Sequence, residues 1–381
     1  MTLLRHLQTI VGAVWLAACP ASSQDMPAHP IADSLLQGAH SVVRDYRVEF
    51  RQRDAHNGEA RFSRTVTVLH PDGRMGAGFA YPSNRFQKLK DFKGFLYDAE
   101  GKLVDKLRQS DLEEDTFTEG LASDFRIHFC QCPPLPCPFT IRYEWTCTYR
   151  HGLITYPDFH PQNDWQQAVE HASYRLSLPS SVRLMYRTQP AGETPHTSSS
   201  PQENIYRWEV SGLRALPPDK TPYGEWPHVY AQPEEFACED FEGRQDTWKS
   251  FGQWLWKLLQ GRDNLPPEEV ARVQELTRNA PSTSDKVRML YDYLAQHTRY
   301  VSIQLGIGGW QPIAAEQVSR TKFGDCKGLT NYLKSMLKAV GIPSIYTVIS
   351  TEKAHISDFP GVHQMNHVVL CVPLRPDTLW L

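Results

Sequence analysis

Thr321-Lys322-Phe323-Gly324-Asp325-Cys326-Lys327-Gly328-Leu329-Thr330 is the stretch on which the reading of this chain turns. Beyond it Leu333, Met336, Leu337 and Val340 recur at helical spacing. Gly341 then ends the helix, and Pro343 cannot continue its hydrogen-bond ladder. Counting back, the helix begins at Gly324-Asp325, which puts Cys326 in its first turn. A thiol there faces unpaired backbone N–H groups and the positive end of the helix macrodipole, and both favour thiolate over thiol. Lys327 brings a further positive charge alongside.

A nucleophilic cysteine needs a base held in a fixed tautomer. Downstream, Ser344-Ile345-Tyr346-Thr347-Val348-Ile349 reads as a strand, followed by a polar loop and a second strand, Asn366-His367-Val368-Val369-Leu370-Cys371-Val372. His367 opens that second strand, where a side chain can project from the sheet edge toward a helix N-terminus. Cys326 is therefore expected to be the nucleophile and His367 its base. Inert alternatives stand beside both: a buried thiol, and a histidine that satisfies a neighbour. His363 and His367 are four apart, a zinc spacing only on a helix, and the β-branched run after His367 argues strand. Asp358 and Asp377 fall in loop-like stretches and are not assigned a role, and Cys371 is read as packing. The Cys326 N–H is the natural oxyanion donor, with Tyr300 or Gln304 as a second donor or as an ordinary strand residue.

Working outward, Ser282 begins a helix carrying Val287, Leu290, Tyr291 and Leu294 on one face, and Asn264-Leu265-Pro266-Pro267 begins another. Residues 247–259 place Trp248, Phe251, Leu255, Leu258 and Leu259 at helical spacing, with Trp254 and Trp256 widening the apolar face. That face reads as packing between domains, with an aromatic ligand platform as the alternative. From about residue 42 to 208 the pattern changes to alternating apolar and polar residues punctuated by turns. Tyr46, Val48 and Phe50 alternate, Thr65-Val66-Thr67-Val68 runs to Pro71-Asp72-Gly73, and Phe95-Leu96-Tyr97 runs to Asp98-Ala99-Glu100-Gly101. Many short strands predict an antiparallel β-sandwich. The Pro/Ser/Thr-rich residues 188–202 are expected to be a long exposed hairpin loop.

Charges nearly cancel, with 40 Lys+Arg against 43 Asp+Glu and a net of −3, which argues against nucleic acid or an anionic surface as partner. Residues 1–23 have a short charged start, the apolar run Ile10 to Ala18 and small residues, and read as an export signal too short to span a membrane. Periplasmic or secreted location is expected. Lipidation of Cys19 in Leu16-Ala17-Ala18-Cys19, giving an outer-membrane lipoprotein, is the alternative. Of eight cysteines, Cys130, Cys132, Cys137 and Cys147 crowd together without the paired C-x2-C spacing of a zinc site. One or two disulfides across a hairpin are expected there, and no metal or cofactor is expected in the chain.

Gly324-Asp325-Cys326-Lys327-Gly328 and Asn366-His367-Val368 resemble the cysteine and histidine motifs of bacterial transglutaminase-like proteins. Ser123-Asp124-Phe125-Arg126 and Pro138-Phe139-Thr140-Ile141-Arg142-Tyr143-Glu144 resemble the β-rich domain of unknown function that commonly precedes such cores in Gram-negative bacteria. The resemblance implies an α+β multidomain chain. Its parts are a signal over 1–23, a β-sandwich over 24–235, a helical connector over 236–280 and a papain/transglutaminase-like α+β core over 281–381. It also implies a Cys-His-Asp type triad acting on peptide or protein amides through a thioester, by hydrolysis or cross-linking. The triad acid follows a Trp-Leu pattern, here Leu379-Trp380-Leu381, so it is expected just after Leu381. The reading from another class is a catalytically silent module whose sandwich binds a peptide, glycan or protein.

Overall fold

The computed structural model describes residues 30–116, 122–189, 192–217, 226–351, 358–374 and 377–381. The expected signal and Cys19 lie outside them. The chain first builds a large β-rich unit and then a smaller α+β unit.

A short helix α1 (Asp33–Leu36) leads into β1 (Ser41–Gln52) and β2 (Gly58–Val68). There follow β3 (Phe79–Ser83), β4 (Gln87–Tyr97), β5 (Leu103–Arg108), β6 (Glu113–Asp115), β7 (Ala122–Ser123) and β8 (Arg126–Cys130). The long strands β9 (Phe139–Tyr149) and β10 (Gln167–Pro179) precede β11 (Leu184–Gln189), β12 (His196–Ser199), β13 (Glu203–Leu213) and β14 (His228–Pro233). Eight of these form one sheet in the order β12-β13-β10-β1-β2-β9-β4-β5, and β3-β8-β6 and β11-β14 form smaller ones.

Strand β9 shows why the sequence folds this way. Phe139, Ile141, Tyr143, Trp145, Cys147 and Tyr149 are all buried while the residues between them are half-buried, the period-2 signature of a strand with one face in the core. Phe62 of β2 stacks on Trp145 at 4.7 Å, and Phe79 meets Trp145 edge-on at 5.2 Å.

Three expectations change. The sheet is not wholly antiparallel, because β1 and β10 pair in parallel across the middle of the order. Residues 196–199, expected in a loop, form edge strand β12 against β13; its side chains are all exposed, so polarity there marks an edge and not a loop. The seven described cysteines are free, so the expected hairpin disulfides are absent among them. Cys130 and Cys147 instead interact with the Tyr143 and Tyr81 hydroxyls inside the β-domain, and burial pushes the Cys147 thiol up to about 12.

The stretch expected to be a helical connector starts with a hairpin, β15 (Glu235–Cys238) and β16 (Phe241–Arg244). Helix α2 (Trp248–Leu259) packs on it: Phe251, Trp254 and Leu258 are buried with Phe236, Cys238 and Val362, whereas Trp256 is 61% exposed. Thr247 caps the helix by accepting the Ser250 N–H at 3.1 Å. The apolar face is thus packing between units.

Helices α3 (Pro267–Thr277) and α4 (Thr283–His297), short strands β17 (Arg299–Tyr300) and β18 (Ile303–Gln304), α5 (Ala315–Thr321), β19 (Phe323–Gly324) and α6 (Cys326–Ala339) then lead to the sheet β20 (Ile345–Ile349), β21 (His367–Pro373) and β22 (Thr378–Trp380). Val273 of α3, Leu290 of α4, Leu333, Met336 and Leu337 of α6, and Leu370 and Val372 of β21 share one core. On α4 the buried tyrosine is Tyr293, with Tyr291 exposed, because the Tyr293 hydroxyl reaches buried Glu269 at 2.9 Å. Tyr332 donates to the same carboxylate at 2.6 Å and Ser319 at 3.2 Å.

Candidate active site

Cys326 is the first residue of α6. The turn before it is made by Lys322 in left-handed backbone (φ 59°), after which β19 pairs in parallel with β17, Tyr300 opposite Gly324. The Val301 N–H donates to the Gly324 carbonyl at 2.9 Å, tying the two segments. Asp325 is the N-cap and its Oδ1 accepts the Gly328 N–H at 2.9 Å. The other oxygen, Oδ2, takes the Lys327 ammonium, and the two side chains are 2% and 6% exposed. The positive charge that the sequence places beside Cys326 is therefore neutralised within the helix start, and the orientation of the backbone N–H groups remains as the local field at the thiol.

Tyr300 is brought against Cys326, its hydroxyl interacting with both the thiol and the backbone amide. Burial first, then the charges of Cys326 and Asp325, hold the phenol above its ordinary value, so it remains a neutral donor through the physiological range. The other oxyanion candidate, Gln304, lies on β18, which pairs in parallel with β7, Gln304 opposite Ser123. A residue missed by sequence reading is Tyr346. Its hydroxyl is buried without a hydrogen-bond partner among the described residues, and burial, followed by Cys326 and Asp325, pushes its phenol up. Its place in an alternating strand carried no sign of this.

His367 is the first residue of β21 and pairs with Ile349 at the end of β20. The alternation of the strand puts Val368, Leu370 and Val372 toward the core and sets His367 in line with Val369 and Cys371. Cys371 has Ile345 and Trp380 as its cross-strand neighbours, 56% and 60% exposed. The elements carrying Cys326 and His367 pack together, but among the described residues no hydrogen bond joins thiol to imidazole.

The loop before His367 is anchored by the β-domain. Asp358 takes both its bonds from Arg187 Nη2 of β11, at 2.8 and 2.7 Å. Gln232 of β14 donates to the Pro360 carbonyl, and His363 stacks on Tyr230 at 5.4 Å. Asp377 accepts the Thr378 N–H at 2.7 Å. On the other side, Asp124 Oδ2 accepts the N–H groups of Gly306 and Arg85, both at 3.2 Å. The β-domain thus holds the segments on both sides of the α6 N-terminus.

Residues 54–217 match the domain of unknown function DUF3857, and residues 270–381 match the transglutaminase-like superfamily. No curated protein matches the chain. Among solved structures, a candidate protease from Parabacteroides distasonis aligns with a TM-score of 0.66 at 15% identity, over 90% of this chain and 67% of that one. A candidate cysteine protease from Cytophaga hutchinsonii aligns with a TM-score of only 0.25 at 10% identity, over 87% and 78%. The first of these shares the fold.

Proposed function

We propose that this chain, which joins a DUF3857 domain to a transglutaminase-like core, is a cysteine-nucleophile acyl-transfer enzyme acting on peptide amides. The observation that carries the reading is the placement of Cys326 as the first residue of α6, at the N-terminal end of the helix, within the superfamily match.

In this scheme the Cys326 sulfur attacks an amide carbonyl and its proton passes to the His367 imidazole. The carbonyl oxygen, now an anion, is met by the Cys326 N–H and the Tyr300 hydroxyl. The imidazolium returns its proton to the leaving nitrogen, the C–N bond breaks, and a thioester remains. Water, or a second amine, then attacks the thioester carbonyl while the imidazole accepts its proton. The thiolate leaves and the ring returns the proton to it. Hydrolysis is the preferred outcome, and cross-linking differs only in the final nucleophile. The thiol–imidazole contact has to tighten when substrate binds, as catalytic hydrogen bonds commonly do.

That missing contact favours one second reading, a catalytically silent binding module. Alkylation by iodoacetamide at pH 7 separates the two. Cys326 is expected to react at least about tenfold faster than Cys132, whose thiol burial pushes up to about 11, and the excess is expected to vanish in His367→Gln. Equal rates for Cys326 and Cys132, or an unchanged rate in His367→Gln, would establish the silent module. Casein with a labelled amine then distinguishes the outcomes: cleavage supports hydrolysis, and label incorporation without cleavage supports cross-linking.

A further inference from the structure

A cavity of about 1450 Å³ lies in the β-domain, walled by aromatic side chains that include Tyr46, Phe62, Tyr81, Trp145, Tyr149 and Tyr156. At its wall stands Arg64 of β2, only 9% exposed. Its Nη2 is held by the Gly76 carbonyl at 2.9 Å and by Asn163 Oδ1 at 2.8 Å, with Gln167 Oε1 at 3.5 Å. Nε and Nη1 have no acceptor among the described residues, and neither is sealed away inside protein. Among the described residues no carboxylate pairs with this guanidinium; Asp164 acts on it only through space. A second arginine, Arg74, lines the same cavity with a buried Nε that has no acceptor among the described residues, and so does Trp145 with its Nε1. Burying a charge without a countercharge is costly, and an anion that reaches the open nitrogens of Arg64 offsets that cost.

We propose that this cavity is a binding site for a single carboxylate carried on an apolar body. One carboxylate oxygen meets Arg64 at Nη1, and the body lies along Tyr81, Trp145 and Tyr149. With Nη2 engaged by protein acceptors, the contact is a charge-assisted hydrogen bond from Nη1 to a single carboxylate oxygen. Asp115, Asp158 and Asp164 also line the cavity, which selects against polyanions such as nucleotides. Its volume exceeds that of most small-molecule pockets and accommodates either the C-terminal residues of an apolar peptide or a free acyl chain. The inference does not depend on Cys326 chemistry.

The test is titration of the full chain, followed by calorimetry and tryptophan fluorescence, with four probes: N-acetyl-Phe-Leu, its C-terminal amide, dodecanoate and dodecanol. At least one acid is expected to bind below about 1 mM, with its uncharged counterpart about tenfold weaker or more. Binding by the peptide acid alone identifies a peptide terminus, and binding by dodecanoate alone identifies an acyl chain. Failure of both acids to bind, or equal binding of acid and uncharged counterpart, overturns the proposal. Arg64→Gln, checked for folding by circular dichroism, is expected to lose the preference for the acid. A folded variant that keeps the preference overturns the assignment to Arg64, and if the variant does not fold, the acid-against-amide comparison on the unaltered chain decides.

Discussion

Asp325 does two jobs within one residue of the candidate nucleophile: it caps α6 through Gly328 and neutralises buried Lys327. Removing one partner of such a pair strands the other charge, which typically costs about 3–5 kcal/mol. Asp325→Ala is therefore expected to lower unfolding free energy by about that amount in urea titration, and Asp325→Ala with Lys327→Met is expected to recover much of it. A loss below about 1 kcal/mol in the single variant would mean that the pair is already solvated. The sequence motif placed Asp325 and Cys326 at a helix start correctly. It did not show that Lys327 turns back onto Asp325, because a long flexible side chain chooses its partner from whatever the fold buries around it. Tyr300 was named only as one of two alternatives, and the closeness of Tyr346 to Cys326 was invisible, since both depend on strands that meet α6 only after folding.

At the scale of elements, periodicity was a sound guide wherever one face is buried. Strand β9 and helix α6 follow their apolar patterns, and α4 does so except at exposed Tyr291, since the core on one side enforces the period. Edge strand β12 escaped because neither of its faces is buried. Two glycines test the elements with opposite signs. Gly252 in the middle of α2 has nothing within 4 Å of where a Cβ would stand, so Gly252→Ala is expected to stabilise by about 0.5–1 kcal/mol. A Cβ on Gly73, in the turn after β2, would lie 2.3 Å from the His40 carbonyl oxygen, which also accepts the Leu69 and His70 N–H groups. That backbone cannot yield without breaking the start of β1, and Gly73→Ala is expected to cost about 1–3 kcal/mol. Thermal unfolding of both variants gives the two signs, and a stabilising Gly73→Ala would refute the close approach.

Across the whole molecule, the β-domain does more than precede the core: it grips the loop that leads to His367 through Gln232, Arg187 and Tyr230. The Arg187–Asp358 pair is exposed on both sides and contributes about 0–1 kcal/mol, whereas Gln232 is fully buried and its loss leaves the Pro360 carbonyl unanswered, a cost of about 1–3 kcal/mol. Gln232→Met is thus expected to raise amide hydrogen exchange over residues 361–369 more than Arg187→Met does. Equal exchange in the two variants would show that the loop holds itself. Two units, their order, their strand-rich and helix-rich character and the residues proposed for chemistry were all legible in the amino-acid sequence, because alternation, helix stops and a cysteine at a helix start are local patterns. The parallel pairing of β1 with β10, the free thiols, the closed Asp325–Lys327 pair, the cavity around Arg64 and the lack of a thiol–imidazole hydrogen bond among the described residues were decided by tertiary structure alone. Each depends on which distant surfaces meet, and no local pattern encodes how burial and charge are then shared between them.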